Sequence, residues 1–159
     1  MRPTLLAFLA WLAGSGPALA APPGCRGALS GSVKATFECT VTVRPGAEGM
    51  VVLDIQPVAE IPDLPSCAPG SFEIPEPPSP GTYTLDQLGM GRATVAAKGG
   101  TLYVATKTSS QRGEVQVTFT SVRPDPKSKG GFLVQGTYRA RLIPAGGGKS
   151  GEVVIEVEF

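Results

Sequence analysis

The sequence predicts an all-β chain: a single antiparallel β-sandwich of about eight strands, with a closed up-and-down β-barrel as the alternative arrangement of the same strands. Three observations carry this expectation. Residues 33–43, VKATFECTVTV, alternate apolar and polar side chains at every step, the period of a strand with one face on a core and one in water. Similar Val-rich segments recur along the chain, and the 21 glycines and 16 prolines cluster between them, as turn residues do. Most of the clusters are short, so sequential strands should pair antiparallel.

The opening residues belong to another regime. MRPTLLAFLAWLAGSGPALA carries an early positive charge at Arg2, an apolar run, a Gly16-Pro17 breaker and small residues up to Ala20. That is the layout of an export signal, and its apolar run is shorter than the roughly 20 residues a membrane-spanning helix needs. Residues 1–20 are therefore read as a signal peptide and 21–159 as a single all-β domain, with no transmembrane segment expected after signal removal. Without Arg2, the 14 basic residues fall level with the 13 acidic ones. A neutral chain gives no electrostatic reason to expect nucleic acid as a partner.

Each element follows from its pattern. In residues 33–43, Val33, Ala35, Phe37, Cys39, Val41 and Val43 form the inward set. RPGAEG reverses the chain, and MVVLDIQP places Val51, Leu53 and Ile55 inward to complete a hairpin. Residues 57–80 carry eight prolines, which donate nothing to a hydrogen-bond ladder. This stretch is expected to be an extended crossover, with SFEI at most a short edge strand open to pairing with another chain. Regular structure resumes at GTYTL, and DQLGMG is the one helical candidate, a single turn. RATVAAK and TLYVATK flank Gly99-Gly100, which suits a tight hairpin. EVQVTFTSV turns Val115, Val117 and Phe119 inward. FLVQGTYRARLIPA sets Phe132, Val134, Tyr138, Ala140 and Leu142 against Gln135, Thr137, Arg139 and Arg141. EVVIEVEF ends the chain with Val153, Ile155, Val157 and Phe159 inward, and Arg139 and Arg141 are expected opposite Glu152, Glu156 or Glu158.

An exported chain permits disulfides, and three cysteines allow one bridge with one thiol left over. Cys39 lies on an inward face, and Gly27, Ser30, Gly31 and Ser32 can reverse the chain between it and Cys25. Cys25–Cys39 is the expected pair; Cys39–Cys67, tying the crossover to the sheet, is the competitor. A membrane-anchored lipoprotein is a further alternative, with lipid on Cys25 and Cys39 paired to Cys67. Gly24 suits such a signal, whereas Pro22 departs from it.

The residues for most common chemistries are missing from the pattern. The chain has no histidine, the commonest general base and transition-metal ligand. It contains no G-x-S-x-G elbow, S-x-x-K pair or C-x-x-C spacing. PAGGGKSG lacks phosphate-loop spacing and precedes a strand, whereas phosphate cradling uses a helix N-terminus. Glu73 and Glu76 bracket Pro75, with Asp63 nearby, but follow no calcium-loop pattern. No catalytic, cofactor-binding or metal-binding residue is assigned, no cofactor is expected, and the chain is not expected to be an enzyme.

CRGALSGSVKATFECTVTV, PSPGTYTL, EVQVTFTSV and GTYRARLIPAGGGKSGEVVIEVEF together resemble a loose group of uncharacterised exported bacterial β-sandwich proteins. The resemblance covers most of residues 21–159 and implies a small exported β-domain without assigned catalytic residues. The expected role is therefore a non-catalytic interaction or structural module, secreted or periplasmic, with an envelope protein as a possible partner. The alternative is a carrier of a small apolar ligand, in a barrel cavity lined by Phe37, Val41, Phe119, Tyr138 and Phe159.

Overall fold

The computed structural model describes residues 24–108, 112–147, 149 and 151–159, so the segment read as an export signal lies outside the described residues. Ten strands follow in chain order: β1 (Cys25–Gly31), β2 (Ala35–Pro45), β3 (Met50–Pro57), β4 (Ser66–Pro75), β5 (Gly81–Thr84), β6 (Gly91–Ala96), β7 (Leu102–Thr106), β8 (Glu114–Pro124), β9 (Phe132–Pro144) and β10 (Val153–Glu158). Every pairing is antiparallel. Eight strands close a ring in the order β1-β2-β3-β4-β6-β7-β9-β10, with β10 returning to β1.

The sandwich expectation is thus corrected, and the closed barrel is the form the strands take. Alternation specifies which side chains point inward; it does not say whether the sheet closes on itself. Closure depends on local bending, which the structure places at irregularities in the ladder. Within the ring the register shifts between Ala68 and Ser71 on β4, as at a β-bulge where a sheet curves; a second shift, between Phe119 and Ser121 on β8, lies beside the ring.

Strands β5 and β8 stand outside the ring and interrupt its up-and-down order. β7 holds the edge of β9 only at Ile143 and Pro144, and β8 takes over that edge from Arg141 down to Phe132. β6 pairs with β7 as β5 pairs with β8. Strands β5 to β8 therefore form one long interrupted hairpin whose tip half joins the ring and whose far half lies beside β9. The tip is the predicted Gly99-Gly100 turn, with φ of 116° and 87°, values open to glycine at little steric cost.

Two elements are better paired than their residue patterns predict. β1 is rich in Gly and Ser, yet it pairs with both β2 and β10. β4 is a full ring strand between β3 and β6, so the expected 57–80 crossover contracts to residues 58–65, and SFEI is not an edge. Its prolines sit where a ladder tolerates them: Pro57 and Pro75 end strands, and Pro69 occupies the bulge. DQLGMG forms a hydrogen-bonded turn, with the N–H groups of Gln87 and Leu88 on Thr84 O at 2.9 and 3.1 Å, and no helix occurs among the described residues.

Inward side chains fill the barrel. Tyr138, Phe72, Phe119, Leu53, Ile55 and Ile74 are among the largest fully buried ones, each contributing roughly 1.5–3 kcal/mol through removal from water. Tyr138 also carries a hydroxyl into the core, and it donates to Pro69 O at 2.6 Å. The free edge of β5 is blunted by its own turn. Thr84 N–H donates to Gln87 Oε1 at 2.9 Å, while Thr84 O already accepts from Gln87 and Leu88.

Candidate functional site

Because the ring brings β1 beside β10, strands from the two ends of the chain share one outer surface. The outward residues of β1 include Arg26 and Ala28, and the register fixes their neighbours. Arg26 lies between Glu38 of β2 and Glu158 of β10, and Ala28 between Thr36 and Glu156. The short side chain of Ala28 leaves a trough between taller flanking residues. The result is an open groove of about 850 Å³ reaching from Thr36 and Glu38 across β1 and β10 to Thr137 and Arg139. Its floor is apolar, formed by Ala28 and the strand segments at Gly27 and Val157, and its rim interleaves arginine with glutamate.

Gly27 sets the shape beneath this floor. Phe37 lies across the pair from it, with its ring over the glycine so closely that a Cβ there would come within 2.2 Å of it. A glycine strand position covered by an aromatic ring keeps the sheet closed at a point that would otherwise be weak. The rim is tied by an Arg139 Nε–Glu156 Oε1 contact at 3.4 Å, matching the cross-strand pairing expected from the sequence.

Arg139 also borders a second hollow of about 430 Å³, formed by the turn after β5 and by β8 and β9. There the charges are mutually satisfied. Arg141 donates to Glu114 at 2.6 Å and to Glu152 at 3.1 Å, and Arg112 pairs with Asp86. Arg141 holds the Glu114 carboxyl below its ordinary range, first through the hydrogen bond and then through its charge, and Glu114 in turn raises the guanidinium. The Arg141–Glu152 pair was foreseen; Glu114 as a second partner requires β8 on the opposite edge of β9, which local pattern does not reveal.

The structure joins Cys25 to Cys39, with Cα atoms 4.9 Å apart, and leaves Cys67 free. The competing Cys39–Cys67 bridge is corrected by the register. Cys39 lies opposite Pro57 of β3, so a further strand separates it from β4. Lipid on Cys25 is corrected likewise, because its sulfur is already bonded. Burial pushes the Cys67 thiol up to about 11, so it is protonated at neutral pH and a poor nucleophile.

The remaining sequence candidates do not converge. Asp63 pairs with Lys98, whereas Glu73 accepts from Met90 N–H at 2.9 Å and holds the turn before β6. The backbone N–H of Glu76 donates to Gly49 O at 2.9 Å. The five residues proposed to line a carrier cavity are largely core filling. Phe119 stacks edge-on with Phe159 at 6.3 Å and with Tyr83 at 5.8 Å between centroids. Phe37 and Val41 are half-buried against the same core, and Phe37 and Tyr138 are among the residues that line the outer groove.

Fold and site together define an antiparallel β-barrel with a packed interior and its main relief on the outside. Compared with family models, curated proteins and solved structures, the chain matches none. Its disulfide fits an oxidising, non-cytoplasmic compartment, and no helix among the described residues is long and apolar enough to cross a membrane.

Proposed function

We propose that this protein is a non-catalytic, exported binding module that engages a polypeptide of the cell envelope through the groove over β2, β1, β10 and β9. The groove itself is the observation that carries the reading: about 850 Å³ of accessible, apolar-floored relief on a molecule whose interior is occupied by its own side chains. A rim that interleaves both signs suits a partner chain carrying charges of both signs, and it repels a polyanion such as nucleic acid at three carboxylates, Glu38, Glu156 and Glu158. The export-signal pattern of residues 1–20, the disulfide and the resemblance to exported proteins support release to the periplasm or the medium.

The test is Ala28→Trp, which fills the trough from an outward position without entering the core. Cross-linked capture from an envelope fraction should recover a partner with the unaltered protein and about tenfold less of it with the variant, equivalent to ~1.4 kcal/mol. Equal recovery by both proteins sinks the reading. Mass analysis of the exported protein should show a chain beginning at Ala21.

A further inference from the structure

A further accessible region of the barrel lies at the end where the crossing runs from β3 to β4. Residues 58–65 pass over this end without joining a strand ladder. Ile61 drops from the crossing into the core and is 5% exposed, and Leu64 packs on the same cluster. One hollow of about 470 Å³ lies between the crossing and its roots at Pro57 and Cys67, and another of about 440 Å³ lies toward Lys98. The crossing is held by Val58 N–H on Glu38 O at 2.9 Å and by a turn closed by Leu64 N–H on Ile61 O at 3.1 Å. An ion pair joins Asp63 to Lys98 through side chains that are 76% and 78% exposed. Asp63 sits at a φ of 66°, uncommon for a residue with a side chain.

A segment with few backbone bonds and hollows on both flanks opens locally at lower cost than the strands beneath it. What its opening uncovers is an apolar site already shaped around an aliphatic side chain. We propose that residues 58–65 are a hinged stopper, with Ile61 occupying a site that a small uncharged apolar molecule takes when the crossing swings out. This stands apart from the groove reading and concerns a different region of the barrel. The apparent affinity of such a ligand is its affinity for the open form multiplied by the open fraction. A change that loosens the stopper must therefore strengthen binding by the factor by which it raises opening.

Cys67 lines one of the hollows at the root of β4 and reports the opening. The experiment compares the unaltered exported chain with Lys98→Ala, which cuts an exposed ion pair and leaves the core intact. Iodoacetamide alkylation of Cys67 should accelerate roughly two- to fivefold, with global stability to urea lowered by no more than the same free energy. The affinity for N-phenyl-1-naphthylamine, read by its fluorescence, should rise by the same factor. Ile61→Ala should bind the probe more tightly than either. Alkylation that is unchanged in Lys98→Ala overturns the proposal, as does faster alkylation without tighter probe binding.

Discussion

Gly27 and Phe37 explain one another: the ring needs the space a side chain would fill, and the glycine needs the ring's cover. Gly27→Ala should therefore lose about 1–3 kcal/mol in urea unfolding, and adding Phe37→Leu should return part of that loss, since the obstacle is a side chain that can be shortened. Glu114 gives a different residue-scale test. Its folded-state acidity is strengthened by Arg141, so it releases its proton below the usual carboxylate value of 4.5. A depressed value stabilises the fold above that pH, and the contribution disappears as pH falls through the folded-state value. The difference in urea midpoint between the unaltered protein and Glu114→Gln should be full at neutral pH and shrink below pH 4.5. Added salt should reduce it as well, because the carboxylate is fully exposed.

The strands that alternate most regularly were the ones legible in the sequence. The inward sets of β2, β3, β8, β9 and β10 all face the core, because period two needs no knowledge of the rest of the chain. β1 escaped since CRGALSG has few side chains to alternate, and its place is secured by neighbours on both sides and by the Cys25–Cys39 bridge. β4 escaped since its prolines suggest a loop until the bulge at Pro69 is known. The groove was illegible for a related reason: Glu158 and Glu156 come beside Arg26 and Ala28 only when the ring closes. β9 is the element on which this depends, pairing with β10 and β2 on one edge and with β7 and β8 on the other. At Gly136 its backbone passes so near β8 that a Cβ would lie 1.9 Å from Thr118 O. Gly136→Ala should cost about 3 kcal/mol or more by urea unfolding, exceeding Gly27→Ala, because backbone yields less readily than a ring.

For the molecule as a whole, ring closure and the disulfide act on the same region. The bridge spans 14 positions, a loop whose closure is worth roughly 3 kcal/mol in the unfolded chain. Cys25→Ala with Cys39→Ala should lower unfolding stability by about that amount, measured under conditions where the unaltered protein stays oxidised. The bridge fastens β1 to β2, but the other edge of β1 is met by β10, where Arg26 lies opposite Glu158. Synthesis delivers these partners at opposite times. Until residues 153–158 arrive, the earliest strand has one side bare and the barrel wall stands open between β1 and β9. A chain halted before Val153 should accordingly remain open to limited proteolysis even when its sulfurs are joined, and become resistant once the last strand is supplied. Such a polypeptide commits to its final shape only when its last strand is in place.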